Sequence, residues 1–136
     1  MGYAIKRAVK YKGAKLLLID VRPTKLVPFA HICLKPKVGT DVALLNGLSR
    51  VIIEERLFDE EFVARKTDNF DELSDSLKSY TLEWVERVTG IPKQDIERAA
   101  RTLAEAEWAS IVYGNGITQH VNGVDSVMAL ANLAML

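Results

Sequence analysis

Three short stretches of this sequence combine residue types that could hold a nucleotide. The first, Ile19-Asp20-Val21-Arg22-Pro23-Thr24, closes an apolar run from Lys15 to Val21. That run is too short for a helix and fits a strand buried on both faces of a parallel sheet. Ligands of open α/β sheets bind beyond the carboxyl ends of the strands, where Asp20 could accept hydrogen bonds from ribose hydroxyls or a guanine edge. The plainer alternative is that Asp20 caps a turn and Arg22 pairs with a surface acid.

The second stretch is Val38-Gly39-Thr40-Asp41, just ahead of a long helical pattern. Asp41 could accept the paired N–H donors of a guanine base, and the amides of a helix start favour negative charge. Thr and Asp are also preferred at helix starts, so capping alone would account for them. The third stretch is Gly114-Asn115-Gly116-Ile117-Thr118-Gln119. Glycines at a strand-to-helix turn let backbone amides approach a phosphate or a pterin. Gln119 stands where a dinucleotide fingerprint needs its third glycine, so a simple tight turn is the competing reading.

The remaining chemistry-bearing residues point to structure. His120 follows the glycine turn and could relay a proton, although a lone histidine more often sits on the surface. His31 and Cys33 fall on one face of a short strand, too few for a metal site, and read as core packing. Trp84 and Trp108 read as core or inter-helix anchors. Asp59-Glu60-Glu61 reads as the charged first turn of a helix.

Positioning these residues requires an alternation of strands and helices. The spacing predicts a short basic helix over 2–11, ending near Gly13, then strands at 15–21, 31–35 and 110–113. Helical patterns cover 41–56, 59–66, 70–79 and 80–88. A further helix opens at Pro92 and runs to about Glu107, with Ile96, Ala99, Ala100 and Leu103 on one face. The last helix covers 124–136. Such an order predicts one α/β domain over 1–136, a helix-rich three-layer α/β/α arrangement around a parallel sheet. Three strands make a thin sheet, and the apolar end at Met135-Leu136 hints at a chain cut from a longer one.

Composition narrows the partners. A chain of 136 residues has the usual size for one domain, and 49% apolar with 26% charged residues is ordinary for a globular protein. Eighteen basic and eighteen acidic residues cancel, so no net field draws nucleic acid or an anionic membrane. No apolar run reaches the ~20 residues of a membrane-spanning helix. No secretory signal opens the chain, and one cysteine, Cys33, builds neither a disulfide nor a metal cluster, which fits a reducing cytoplasm.

Four stretches, KGAKLLLIDVRPTKLVPFA, GTDVALLNGLSRVIIEERLFDEEFV, YTLEWVERVTGIPKQDIERAARTLA and IVYGNGITQHVNGVD, come in the order and spacing of one family. Across nearly its whole length the chain resembles the formate dehydrogenase branch of the molybdopterin oxidoreductases, and related nitrate reductases. The resemblance implies a cofactor-binding portion of a formate dehydrogenase catalytic subunit, with molybdopterin guanine dinucleotide carrying molybdenum or tungsten. It implies contact with the guanosine end for Asp20, Arg22, Gly39, Thr40 and Asp41. Gly114, Gly116, Thr118 and Gln119 are implied to lie near the cofactor and substrate pocket, with His120 adjoining them.

Two positions depart from the family pattern. Val21 and Val38 stand where the family has proline, with Pro36 two positions upstream, so the φ that proline would fix is left free. The family's cysteine set for an iron–sulfur cluster, its metal-ligating cysteine or selenocysteine, and its Gly-Ser-Asn type phosphate motif have no counterpart in this sequence. The resemblance therefore implies an inactive isolated chain. It also implies partners, namely the remainder of the catalytic subunit and electron-transfer iron–sulfur subunits. A stand-alone nucleotide- or pterin-binding module, or a remnant that keeps the fold alone, are the alternatives.

Overall fold

The computed structural model describes residues 2–136. In chain order the elements are α1 (Gly2–Lys12), β1 (Leu17–Ile19), a 3-10 turn (Val27–Phe29), β2 (Ile32–Leu34) and α2 (Asp41–Glu54). There follow α3 (Glu60–Lys66), α4 (Phe70–Leu77), α5 (Leu82–Thr89), α6 (Lys93–Ala104), α7 (Asn115–Thr118) and α8 (Gly123–Ala134). The result is a helix-rich α/β fold with a small parallel sheet.

Local chemistry sets most of these boundaries. Gly13 leaves α1 at φ +69°, and the next N–H, of Ala14, reaches back to the Ala8 carbonyl at 3.3 Å, closing the last turn. Asp59 and Thr81 cap α3 and α5 by accepting from the N–H groups of Phe62 (2.9 Å) and Trp84 (3.3 Å). Gly90 ends α5 at φ +77°. Pro92 sits one position before the first residue of α6, where its missing N–H costs no helical bond.

β1 and β2 pair in parallel with Leu17 opposite Ile32, Leu18 opposite Cys33 and Ile19 opposite Leu34. The strand expected at Ser110–Tyr113 does not form. A strand exists only by pairing, and among the described residues the sheet has two strands, leaving 110–113 exposed. For the same reason β1 is half-buried instead of covered on both faces. The pleat of β2 sends Ile32 and Leu34 into the core, so His31 is exposed and Cys33 only partly covered, contrary to the core reading of that pair.

The core is built around α2. Leu44, Leu48, Val51 and Ile52 on its inner faces pack with Val85 of α5, Ile96, Ala99 and Ala100 of α6, and Ala129, Leu130 and Leu133 of α8. Burying each large side chain contributes roughly 1.5–3 kcal/mol. The buried hydroxyls are all satisfied. Ser49 donates to the Leu45 carbonyl (3.1 Å), and Thr89 donates to the Val85 carbonyl (2.7 Å) while accepting from the Ile91 N–H (3.1 Å). Trp84 packs against this core with Tyr80 edge-on at 5.4 Å, as an anchor should. Trp108 is 88% exposed and anchors nothing in this chain, because the segment after α6 lies outside the core.

Three core helices share one direction. Val42 and Asn46, in the first half of α2, line a depression with Asp125 and Met128 of α8, while Ile52, near the end of α2, lines a cleft with Leu133, near the end of α8. The Asp59 N–H bonds the Leu136 carbonyl at 3.1 Å, joining the segments just past both helices. Arg101, in the last turn of α6, pairs with Glu55 just past α2. The helix starts therefore gather at the end of the molecule toward which β1 and β2 point.

Candidate functional site

Asp20 is the first residue beyond β1. Its N–H donates to the carbonyl of Leu34, the last residue of β2, at 3.2 Å, which fixes it at the carboxyl edge of both strands. Its Oδ1 accepts from the Arg22 N–H at 2.9 Å, so the turn-capping role is present. One oxygen is engaged; a carboxylate has capacity for further donors through Oδ2. The Arg22 side chain is exposed and, among the described residues, forms no ion pair.

The second stretch leaves the same edge. Lys37 is tied to the end of α5 twice, by its N–H to the Thr89 carbonyl (2.9 Å) and by its ammonium to the Arg87 carbonyl (3.2 Å). The chain then turns through Gly39 at φ +79°, a conformation that suits glycine, even with valine in place of proline at 38. Thr40 spends its hydroxyl on the Lys37 carbonyl at 2.7 Å and does not cap α2, so the capping explanation fails for Thr40. Asp41 begins α2, half-buried, and its carboxylate has no side-chain hydrogen bond or salt bridge among the described residues.

The third stretch folds as α7, a single helical turn. Gly114 is extended at φ −154°, and bonds from the Ile117 N–H to the Gly114 carbonyl (2.9 Å) and from Gln119 to Asn115 (3.0 Å) close the turn. The preceding strand being absent, the turn is carried by the helix after it. Gly123 of α8 stands against the Thr118 carbonyl with no room for a Cβ. Gly114 and Gly116, by contrast, have open space where a Cβ would be, and no positive φ. Nothing in this chain's own packing requires glycine at either position. Gln119 and His120 are exposed beside them.

Asp20 and the Gly39–Asp41 turn are thus brought to one edge by the parallel strands, and α8 carries the 114–119 turn to the same end. Among the described residues no group of three or more His, Cys, Asp or Glu side chains is placed to hold a metal ion. Asp20 and Gly39 lie on loops held by hydrogen bonds, and Asp41 and Gly116 in the first turns of α2 and α7.

The sequence matches the molybdopterin oxidoreductase family over residues 2–136. The chain belongs to that family. Among relatives of this molybdopterin oxidoreductase domain, the F420-dependent formate dehydrogenase subunit alpha of Methanocaldococcus jannaschii is 43% identical over 127 residues, covering 93% of this chain and 19% of that protein. Formate dehydrogenase H of Escherichia coli strain K12 is 42% identical over 127 residues, again 93% of this chain and 18% of that protein. Acetylene hydratase from Pelobacter acetylenicus superposes with a TM-score of 0.89 at 34% identity, over 92% of this chain and 17% of its own. The molybdopterin oxidoreductase domain described here therefore spans about a fifth of the length of these relatives.

Among the described residues no helix is long and apolar enough to cross a membrane.

Proposed function

We propose that this domain grips the guanine-dinucleotide tail of a pterin cofactor within the catalytic subunit of a formate dehydrogenase. The carboxylates of Asp20 and Asp41 orient the guanosine end, accepting from ribose hydroxyls and base N–H groups. Arg22 lies beside them as an exposed cation for the cofactor's phosphates, and Gly39 and Thr40 shape the turn that presents Asp41. Gly114, Gly116, Thr118 and Gln119 form the turn that rests against the pterin.

The residues fit such a ligand. One observation carries the reading: Asp41 stands half-buried at the edge the strands point to, with no side-chain hydrogen bond or salt bridge among the described residues. When bound, the pterin group supplies the metal centre, molybdenum or tungsten, for the two-electron oxidation of formate to carbon dioxide. The domain's own contribution is positional: it holds the nucleotide end so that the pterin end is presented at one orientation.

The choice of formate rests on the 43% and 42% identical relatives, both formate dehydrogenases. The same reading puts the domain in a longer cytoplasmic subunit that also carries an iron–sulfur cluster and passes electrons to iron–sulfur subunits. A melting-temperature titration with guanosine monophosphate tests the binding claim. The chain should be stabilised by millimolar guanosine monophosphate more than by adenosine monophosphate, and Asp41→Ala should abolish the difference. Equal responses to both nucleotides, or an undiminished response in the variant, would contradict it.

A further inference from the structure

The balance of eighteen cations against eighteen acids hides a segregation along the chain. Nine of the cations, against Asp20 as the one acid, fall within residues 1–37. All seven salt bridges found among the described residues lie between Arg50 and Arg101, and none involves the first nine cations. The acids that would neutralise α1 are elsewhere.

Five of these cations, Lys6, Arg7, Lys10, Lys12 and Lys15, occupy α1 and the loop after it. Three lie over aromatic rings instead of acids: Lys6 is 5.1 Å from the Phe29 centroid, Arg7 6.0 Å from Tyr3, and Lys10 5.3 Å from Tyr11. Tyr3 and Tyr11 are themselves exposed. α1 leads into the amino end of β1, so its last turn lies away from the edge that carries Asp20 and Asp41.

We propose that the outer face of α1 is a docking surface for an acidic protein surface. Four features select that partner. From Tyr3 to Tyr11 the outer face carries Arg7 and Lys10 between the two exposed tyrosines and spans roughly 12 Å, a breadth that meets a surface better than a single phosphate. No buried polar side chain converges there to build a pocket for a small anion. The apolar side chains Ile5, Ala8 and Val9 are half-buried, leaving no apolar stripe to enter a lipid layer. The remaining residues carry seventeen acids against nine cations, a field that repels an extended polyanion such as nucleic acid but tolerates a compact partner touching one end.

Binding of a labelled, glutamate-rich helical peptide to the whole chain, read by fluorescence anisotropy, tests this. Affinity should fall at least about tenfold in the triple variant Arg7→Glu, Lys10→Glu, Lys12→Glu, and also when salt rises from about 50 to about 200 mM. The same charge change at Arg65, Lys66 and Lys78 should leave it nearly unchanged. Circular dichroism checks folding, and the milder set Arg7→Gln, Lys10→Gln, Lys12→Gln serves if the first variant unfolds. Equal weakening by both triple variants, or no peptide binding, overturns the proposal. So does tighter binding of an oligothymidylate or of phosphatidylserine vesicles than of the peptide. None of these readouts depends on whether the nucleotide site binds guanosine.

Discussion

Gly123, in the first turn of α8, faces the carbonyl of Thr118 so closely that a Cβ at this position would overlap the oxygen. The glycine therefore sets how near the 114–119 turn can lie to the helix. In Gly123→Ala the turn must swing outward, at a cost of about 1–3 kcal/mol for the forced contact. Urea denaturation should show that loss. An alanine variant as stable as the parent chain would show that the turn is not held by this contact.

Gly47 illustrates the same logic inside the core. Alanine in the middle of a helix is ordinarily favoured over glycine by roughly 0.5–1 kcal/mol. A Cβ at Gly47, however, would lie 3.0 Å from Cγ1 and 3.1 Å from Cγ2 of Val85, which is fully buried. Gly47→Ala is expected to destabilise the chain by about 1–3 kcal/mol alone. Combined with Val85→Ala, which removes both methyls, it should cost nothing further. The coupling in a double-mutant cycle measures the contact, and simple additivity would refute it.

The ion pair between Arg101 and Glu55 contributes to the acid limb of stability. Arg101 Nε and Nη2 donate to both carboxylate oxygens of Glu55, at 2.8 and 2.7 Å, and these bonds hold the Glu55 pKa below its ordinary value. A depressed folded-state pKa means the stabilisation is complete above the unfolded value of about 4.3 and is lost as pH falls through the folded one. The melting-temperature gap between the chain and Arg101→Gln should be steady from about pH 7 to 5 and close on further acidification. A gap that persists in strong acid would mean the arginine acts through packing alone.

Trp84 and Trp108 separate the core from the segment that follows α6. Iodide should quench the emission of Trp108, which is 88% exposed, and spare that of partly buried Trp84. Trp108→Phe should remove most of the quenchable signal. Protection of Trp108 in the chain would show that residues 106–113 pack on something.

How much of this could be read from sequence follows from the range of the interactions involved. Helix ends are legible because their chemistry is local: Asp59 and Thr81 bind N–H groups three residues on, and Gly13 and Gly90 supply the left-handed turn. Strand propensity at Ser110–Tyr113 is equally local, but pairing is not. The β-branched and aromatic run reports a capacity to pair, and no third neighbour stands beside it. Trp108 and His31 mislead for the same reason, since burial depends on what lies opposite.

The candidate binding residues are legible as three motifs, and their common edge is not. That edge depends on α2 and α8 running the same way, which rests on contacts between residues some eighty positions apart, such as the Asp59 N–H on the Leu136 carbonyl. The engagement of the Thr40 hydroxyl is likewise beyond a motif, because its bond to the Lys37 carbonyl replaces the helix cap its residue type suggests. The segregation of charge was available from the sequence all along but vanishes in a sum over the whole chain.

The central claim is that Asp20 and Asp41 together grip a guanosine. In the full-length catalytic subunit, guanine nucleotide released on denaturation, counted per protein, tests it most directly. The double variant Asp20→Asn, Asp41→Asn should keep the circular dichroism spectrum of the folded subunit, yet release at least about tenfold less guanine nucleotide than the unaltered subunit, a loss of two charge-assisted contacts. Equal nucleotide content in the two proteins would contradict the account.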